Sequence, residues 1–315
     1  MSRVAVIGGG VVGTAVTLAL ARRGVETTLY EARDRLAGAA SGTNSGILHT
    51  GFDSTPGELE TRLILRAAEL REPVLETLQV PVRRCGALLG DRVITGEAIT
   101  DPVHYTRALA AAAQACGAQI NTNTKISGRD QVGAETVVNC AGLYADDVAR
   151  LYGDYSFAIY PRKGEFFVFD GIELDRILLP PPTRRTKGVL VFPTLDGKVV
   201  AGPTAIDQTD KEDWTVRPEA LDEVRAKAAE LLPAIADAEP IGSWAGLRPA
   251  GRHVNYLIRR ASPELVNVAA IRSTGLTASL GIAEYVAEMV APGAPEMPLP
   301  SVTVEPSEEP WWHRS

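Results

Sequence analysis

The chain has few of the residues that metal centres, disulfide frameworks and membrane spans require. Among its 315 residues are only 3 cysteines (Cys85, Cys116 and Cys140), which form no CxxC pair, and only 4 histidines. An odd number of widely spaced cysteines is typical of a reducing compartment, so we expect a cytoplasmic protein that holds no metal ion. No apolar run approaches the roughly 18 residues that a membrane-spanning helix needs.

Positive charge is also in short supply. The sequence has 32 Lys and Arg against 39 Asp and Glu, which gives a formal net charge of −7. Proteins that bind nucleic acid usually carry a basic excess, so we expect no nucleic-acid partner. An anionic small molecule would need a local basic site. The length and the hydrophobic content of 45% allow one large globular domain or two closely joined ones.

The first 31 residues predict a β-α-β unit with a dinucleotide-binding turn. Residues 4–7 are an apolar strand, the pattern Gly8-x-Gly10-x-x-Gly13 opens a helix, and Glu31 ends the next strand. Glycines at this spacing permit a tight turn, a close approach of a pyrophosphate and close helix packing, while an acid in this place binds ribose hydroxyls. The pattern predicts a dinucleotide without separating NAD from FAD.

Six ordered segments then resemble one family of oxidoreductases. They are residues 44–52 (NSGILHTGF), 161–165 (PRKGE), 186–191 (TKGVLV), 202–205 (GPTA), 245–249 (AGLRP) and 273–277 (STGLT). Over nearly all of residues 3–290 the chain resembles the D-amino-acid-oxidase-like FAD-dependent oxidoreductases. It is most similar to the FAD-dependent glycerol-3-phosphate dehydrogenase and oxidase branch, with L-2-hydroxyglutarate dehydrogenases as near relatives. The resemblance implies FAD as the cofactor.

The pattern and the resemblance together predict an α/β fold of two interleaved domains. A Rossmann-like FAD-binding domain is expected from residues 1–80, 98–150 and 242–292. A β-rich (α+β) substrate domain is expected from 81–97 and 151–241, because short strand-like runs there alternate with Pro and Gly turns. An extended tail is expected over 293–315. Helices are predicted over 56–79, 102–117, 217–232 and 277–290, with Pro73 kinking or breaking the first.

The resemblance also implies which residues bind the cofactor. The small residues of the loop 38–46 suit a flat ring, and a helix beginning near 275–277 would stabilise negative charge at the pyrimidine edge of a reduced flavin. The expected cofactor-binding residues are Gly8, Gly10, Val11, Val12, Gly13, Glu31, Ala32, Arg33, Ala40, Ser41, Asn44, Ser45, Gly46, Ala141, Gly142, Gly246, Gly275, Leu276 and Thr277.

Four residues are candidates for the chemistry. His49 follows the flavin loop, where the family has its active-site histidine, and an imidazole with an ordinary pKa of about 6.5 accepts a proton near neutral pH. Arg248 offers a fork that matches phosphate or carboxylate. Lys187 would bind phosphate or polarise a hydroxyl, and Ser273 would hydrogen-bond the substrate. The structural alternatives are a packed core histidine, an internal ion pair, an exposed lysine and a helix cap.

The reaction implied by the resemblance is hydride transfer from a small anionic hydroxy compound to flavin N5. Glycerol 3-phosphate, giving dihydroxyacetone phosphate, is the first expectation. A 2-hydroxy acid such as 2-hydroxyglutarate is the alternative, followed by an amine or amino acid, whose oxidation would make less use of His49. A non-catalytic flavin-binding subunit is the alternative from another class.

Two stretches, 86–101 and 126–136, are shorter than is usual in the family. Oxygen, a quinone and a protein all stay open as electron acceptors, and the oligomeric state stays open too. Peripheral contact with a membrane would suit a quinone user, but no strongly basic amphipathic helix supports it.

Overall fold

The structure is a computed structural model that describes residues 3–181, 188–307 and 309–313. Within these ranges the α-helices are α1 (Val11–Arg22), α2 (Leu59–Thr77), α3 (Pro102–Ala115), α4 (Ala145–Leu151), α5 (Ala220–Leu231) and α6 (Gly275–Val290). The strands are β1 (Arg3–Ile7), β2 (Glu26–Tyr30), β3 (Ile47–Leu48), β4 (Val82–Arg83), β5 (Ala87–Leu89), β6 (Arg92–Ile94), β7 (Ala98–Thr100), β8 (Gln119–Asn121), β9 (Thr136–Asn139), β10 (Ile159–Phe169), β11 (Ile177–Leu179), β12 (Leu190–Pro193), β13 (Val199–Gly202), β14 (Ile206–Asp207), β15 (Pro240–Gly251), β16 (Leu257–Ser262) and β17 (Leu265–Ala269).

The first sheet carries the predicted β-α-β unit. Its strand order is β16-β17-β9-β1-β2-β8, parallel throughout except for β16 at one edge. Successive residues of β1 point to opposite faces. Val4 and Val6 therefore pack among α1, α2, α3 and α6, whereas Ala5 and Ile7 pack against Val148 of α4. The α/β class is confirmed.

The second sheet is mostly antiparallel, in agreement with its short strands and frequent turns. Its order is β14-β10-β13-β12-β11-β5-β6, with β15 paired along β10 and one parallel pair between β11 and β5. Here too the faces alternate: Phe167 and Phe169 pack against α5, while Phe166 and Val168 lie in a second apolar layer with Trp244.

One predicted boundary is wrong. The segment 242–292 was assigned to the FAD-binding domain, but β15 pairs with β10 from Ile159↔Gly251 to Phe169↔Pro240 and so belongs to the second sheet. The chain re-enters the first sheet only at β16. An apolar strand does not reveal from its own residues which sheet it joins, since its pairing partner decides that.

Helix α2 runs from Leu59 to Thr77 and contains Pro73 inside it. Of the two predicted effects of this proline, a kink or a break, the break is therefore wrong. Packing compensates for the backbone hydrogen bond that a proline cannot make, because Leu63, Ile64, Ala67 and Leu75 of the same helix lie in the main core. Among the described residues, no helix is both long and apolar enough to cross a bilayer.

A small third sheet, ordered β3-β7-β4, joins the two larger ones. Strand β3 pairs antiparallel with β7, with Ile47 opposite Ile99 and Leu48 opposite Ala98. Ile47 and Ile99 lie in the core of the second sheet, whereas Leu48 and Ala98 lie in that of the first. Because the side chains of this short sheet alternate between the two cores, the sheet fixes the two halves of the molecule against each other.

The C-terminal tail crosses from one half to the other. Glu296 pairs with Arg22 and Arg23 at the end of α1, and the described residues from 293 onward form no helix or strand until a 3₁₀ turn at Trp311–His313. Trp311 is buried edge-on against Trp244, with ring centroids 5.1 Å apart. The tail therefore contributes to the core of the second sheet.

We predict that Trp311→Ala lowers the free energy of unfolding by about 3–5 kcal/mol, the usual cost of emptying a buried aromatic site. Urea denaturation of the FAD-loaded protein, followed by circular dichroism, measures this loss. Trp311→Phe is the matched control: it retains a ring and removes an indole N–H that has no hydrogen-bond partner among the described residues. A loss below about 1 kcal/mol for Trp311→Ala would show that the tail does not stabilise the fold.

Candidate active site

A cavity of about 1250 Å³ extends between the first and second sheets. Pockets for single small ligands usually measure about 300–1,000 Å³, so this one has room for a dinucleotide and a further small molecule. Its walls include the glycine-rich turn after β1, the loop 38–46, the N-terminal end of α6 and the facing strands β10 and β15. The segments on which the family resemblance depends therefore meet in one place.

The turn after β1 has the close contacts that a dinucleotide fingerprint requires. A Cβ atom at Gly8, whose φ is +114°, would overlap the carbonyl oxygen of Cys140, and one at Gly13 would overlap the carbonyl oxygen of Gly8. Helix α1 begins at Val11, and its N-cap residue Gly10 has no side chain to bind the first amides. The amides of its first turn therefore border the cavity, where the positive end of the helix dipole favours a pyrophosphate.

Glu31 directly follows β2 at the edge of the same cavity. Its Oε2 accepts a hydrogen bond from the Gly9 amide at 2.6 Å, and its Oε1 accepts one from the Arg33 amide at 2.8 Å. A carboxylate oxygen has a second lone pair, so these contacts fix the position of the side chain and leave acceptor capacity for ribose hydroxyls. Glu31 thus braces the glycine turn as well as lining the cavity.

A loop from the second sheet covers this end of the cavity. Glu212 forms an ion pair with Arg33 at 3.4 Å and accepts a hydrogen bond from the Tyr144 hydroxyl. Lys211 reaches Asp146 and Asp147, each at 2.8 Å. These contacts join the second sheet to the nucleotide-binding end of the cavity.

The loop 38–46 lies between the first helix and the second sheet. The Ser41 hydroxyl accepts a hydrogen bond from the Val11 amide at 2.9 Å, and the Trp244 indole donates to the Thr43 carbonyl at 3.0 Å. Gly164 and Gly246 lie opposite each other on β10 and β15, and both line the cavity. A Cβ atom at Gly164 would lie 2.8 Å from Pro203 Cβ, and one at Gly246 would lie 3.0 Å from the Thr43 carbonyl oxygen. The two glycines therefore allow Pro203 and the loop 38–46 to pack closely against the strands at the cavity wall.

His49 is held by hydrogen bonds on its backbone and on its ring. Its amide donates to Thr277 Oγ1 at 3.1 Å, and its carbonyl accepts from Arg71 Nη1 at 3.1 Å. Its Nδ1 lies 3.0 Å from Glu97 Oε2. The side chain is 15% exposed and lines the cavity, so it is oriented from behind and open on the side where ligands bind.

Strand register brings His49 and Glu97 together. The pairs Ile47↔Ile99 and Leu48↔Ala98 of β3 and β7 continue, one residue further, to His49 and Glu97. The Glu97 side chain is fully buried, and its Oε1 accepts from the Thr50 amide at 2.7 Å and from the Thr50 hydroxyl at 2.8 Å. Burial would raise the pKa of this carboxyl, but the contacts with His49 and Thr50 outweigh it and lower the pKa below its usual range.

Arg248 lies on β15 at the cavity wall. Its Nε donates to the Arg162 carbonyl at 3.1 Å, and its Nη2 donates to the carbonyls of Lys163 and Thr204 at 3.0 and 2.7 Å. These contacts do not involve Nη1. Burial, together with the nearby charges of Arg162 and Arg272, lowers the pKa of Arg248 to about 10, so the group is cationic at neutral pH.

Two further guanidinium groups lie near Arg248. Arg162 and Arg272 both line the cavity, and Arg162 forms a two-pronged ion pair with Asp207 at 2.5 and 2.8 Å. That pairing raises the pKa of Arg162 and contributes, with Arg248 and Arg272, to lowering the pKa of Asp207. Three cations near one carboxylate leave a net positive charge, which favours an anionic ligand.

The structure places the expected residues as follows. All of the cofactor candidates except Gly46 and Thr277 line the cavity, and so do His49, Arg248 and Ser273. Gly46 packs toward the Thr100 carbonyl and Trp311, and Thr277 holds the His49 backbone from behind. Ser273 is exposed on the loop before α6. Lys187 lies outside the described residues.

Sequence reasoning missed Glu97, Arg71 and Arg162 as members of the site. Glu97 and Arg71 lie behind His49, and only tertiary pairing shows this. Arg162 precedes Lys163, and the two looked alike in sequence. The structure separates them, since the Lys163 ammonium is buried and donates to Asp213 and to the Thr215 carbonyl. The opposite directions of their side chains on β10 were the available signal.

Comparison with known proteins identifies the family of this chain. The model of the family described as FAD dependent oxidoreductase matches residues 3–92 and 89–289. The glycerol 3-phosphate dehydrogenase of Caloramator mitchellensis is 27% identical in an alignment 358 positions long, and this alignment covers 92% of this chain and 74% of that protein. An L-2-hydroxyglutarate dehydrogenase of Escherichia coli O17:K52:H18 is 24% identical over 278 residues, 67% of this chain and 66% of that protein.

The fold is also similar to that of a solved flavoprotein. Dithionite-reduced L-α-glycerophosphate oxidase from Mycoplasma pneumoniae with FAD bound superimposes with a TM-score of 0.81 at 25% identity, covering 97% of this chain and 100% of that chain. The resemblance seen in the sequence is thereby confirmed, and the glycine turn, the N-terminal ends of α1 and α6 and the cavity fit its cofactor. The chain belongs to the family of FAD-dependent oxidoreductases, and FAD is its cofactor.

Proposed function

We propose that this protein oxidises a small anionic hydroxy compound, with glycerol 3-phosphate converted to dihydroxyacetone phosphate as the first choice. One observation carries the proposal: an imidazole hydrogen-bonded to a buried carboxylate lines the same cavity as three guanidinium groups. A base and an anion site beside a flavin cradle are what the oxidation of such an alcohol requires. Similarity to a glycerol 3-phosphate dehydrogenase and to a glycerophosphate oxidase supports the choice of substrate.

Arg248 and His49 have different roles: the first holds the substrate and the second moves a proton. Arg248 binds the anionic group, and Arg162 and Arg272 add positive charge around it. His49 takes the hydroxyl proton as the carbon–oxygen bond becomes a carbonyl. Bound FAD supplies the two-electron acceptor for the hydrogen that leaves the carbon. Lys187 and Ser273 stay predicted partners of the phosphate or the hydroxyl.

The charge around Arg248 favours a phosphate over a single carboxylate. A phosphate monoester carries about −1.5 to −2 charges at neutral pH, and the three guanidinium groups exceed the single Asp207 carboxylate among them by two charges. A 2-hydroxy dicarboxylate has a comparable total charge. Similarity to an L-2-hydroxyglutarate dehydrogenase supports that compound as the second candidate.

Anaerobic mixing with a substrate panel tests the proposal. The FAD-loaded protein is mixed with glycerol 3-phosphate, 2-hydroxyglutarate, glycerol and glycine, and the loss of flavin absorbance is followed. We expect the two anionic hydroxy compounds to reduce the flavin, glycerol 3-phosphate faster, and glycerol far more slowly because it lacks the anion. Reduction by glycine alone would overturn the proposal in favour of amine oxidation, and reduction by none would favour a non-catalytic subunit.

For the base, we predict that His49→Ala retains FAD and slows flavin reduction about a hundredfold or more, which is the usual contribution of a positioned acid–base group. Stopped-flow absorbance under anaerobic conditions measures the rate. His253→Asn is the control, since His253 is exposed, does not line the cavity, and has a φ of +62° that asparagine accepts. An unchanged rate in His49→Ala would remove this imidazole from the reaction.

For the anion site, we predict that Arg248→Ala raises the half-saturating concentration of glycerol 3-phosphate by roughly tenfold or more, because a charge-assisted contact is worth about 1.5–3 kcal/mol. The concentration dependence of flavin reduction measures this. Arg248→Lys retains the charge and should lose less. Arg259→Ala makes the same change in net charge on β16, outside the cavity lining. Identical saturation in Arg248→Ala and wild type would exclude the role.

A further inference from the structure

We propose that Glu97 is the positioning residue of His49: it holds the imidazole in the tautomer that carries its proton on Nδ1 and so presents Nε2 to the substrate hydroxyl. The inference rests on the proposed function, because only there does the tautomer of His49 matter for a reaction. Among the described residues, the Glu97 side chain hydrogen-bonds to His49 and to Thr50. Glu97 does not line the cavity, whereas the His49 ring does.

A hydrogen bond joins the Glu97 carboxylate to the His49 ring. Glu97 Oε2 and His49 Nδ1 are 3.0 Å apart, and the carboxylate side chain is fully buried. An ionised carboxylate only accepts hydrogen bonds. The neutral imidazole must therefore carry its proton on Nδ1, and its lone pair lies on Nε2.

Glu97 is held in its ionised form. The hydrogen bonds from His49 and Thr50 outweigh the desolvation of this carboxyl and lower its pKa. Arg71 adds positive charge nearby, since it is buried and its Nη1 donates to the His49 carbonyl at 3.1 Å. Glu97 therefore stays a pure acceptor at neutral pH, and its charge also stabilises the imidazolium that forms when His49 takes a proton.

The hydrogen bonds between Glu97 and Thr50 have a fixed direction. Its Oε1 accepts from the Thr50 amide at 2.7 Å and from the Thr50 hydroxyl at 2.8 Å. A backbone amide can donate and never accept. The oxygen on this side cannot be exchanged for a donor without leaving two N–H groups facing each other in a buried place, at a cost of about 1–3 kcal/mol.

This asymmetry makes Glu97→Gln an informative variant. The new side chain has one oxygen and one NH₂ group, and the Thr50 amide demands the oxygen. The NH₂ group then faces His49 Nδ1 and requires a lone pair there, which moves the imidazole proton to Nε2. A protonated Nε2 cannot accept the substrate proton. In a serine protease triad, the same exchange of carboxylate for amide produces the wrong tautomer and lowers kcat by roughly 10⁴.

Nitrogen-15 NMR of the histidine rings reads the tautomer directly. With [¹⁵N]histidine in the FAD-loaded protein, the 4 histidines give separate ring signals, and their assignment follows from the signals lost in His49→Gln. We expect wild type and Glu97→Asp, both with a carboxylate, to show protonated Nδ1 and free Nε2 in neutral His49. We expect Glu97→Gln to show the reverse.

Stopped-flow kinetics give the second measurement. Glu97→Gln should slow flavin reduction at saturating glycerol 3-phosphate at least about a hundredfold, with a half-saturating concentration within roughly twofold of wild type, because the arginines are untouched. Glu97→Asp should recover part of the rate. The matched control is Glu284→Gln, which changes net charge equally at an ion pair with Arg66 away from the cavity.

The outcomes separate this inference from the proposed function. Protonated Nε2 in wild type, unchanged ring signals in Glu97→Gln, or a normal reduction rate in spite of a reversed tautomer would each overturn the role of Glu97. If Glu97→Gln does not fold, the wild-type tautomer still decides. If no hydroxy compound reduces wild-type protein, the proposed function fails, while the ring signals alone show whether Glu97 sets the tautomer.

Discussion

A buried carboxylate is the constraint around which the reacting side of this protein is arranged. Glu97 is removed from solvent and must have its charge satisfied, and it is satisfied by His49 and by two donors of Thr50. Both partners come from the strand end that leads into the cavity. The hydrogen bonds that offset the cost of burying this charge also fix the position of the imidazole. A mobile histidine at the same place would lose entropy each time it met a substrate.

The two large sheets supply what that histidine needs around it. The first sheet brings a glycine turn and the N-terminal ends of α1 and α6 to the cavity, and these fit the phosphates and the ring edge of FAD. The second brings Arg162 and Arg248, which are opposite each other on β10 and β15. The small sheet of β3, β7 and β4 lies between them, and its register brings His49 to Glu97. The glycine turn, the imidazole and the guanidinium groups therefore come from three separate sheets, and the small sheet packs into the cores of both large ones.

Much of this arrangement could be predicted from the sequence. The glycine fingerprint with its flanking strand, helix and acid identifies the first β-α-β unit, because a tight turn, a close pyrophosphate and close helix packing require glycines at that spacing. The ordered motifs around His49 and Arg248 gave the family and the cavity residues. Glu97 could not be found in this way. It lies in the shortened stretch 86–101, among residues without a motif, and only the pairing of β3 with β7 brings it to His49. The prediction that β15 belongs to the FAD-binding domain was wrong for the same reason. Pairing between strands that are far apart in sequence is decided by the whole fold.

The most direct test of this account is a crystal structure of the FAD-loaded protein with dihydroxyacetone phosphate. The account predicts that the ligand carbonyl oxygen lies about 2.6–3.2 Å from His49 Nε2, that the phosphate contacts Arg248, and that Glu97 remains on Nδ1. A ligand bound elsewhere in the cavity, or an imidazole whose Nε2 points away from it, would contradict the central claim.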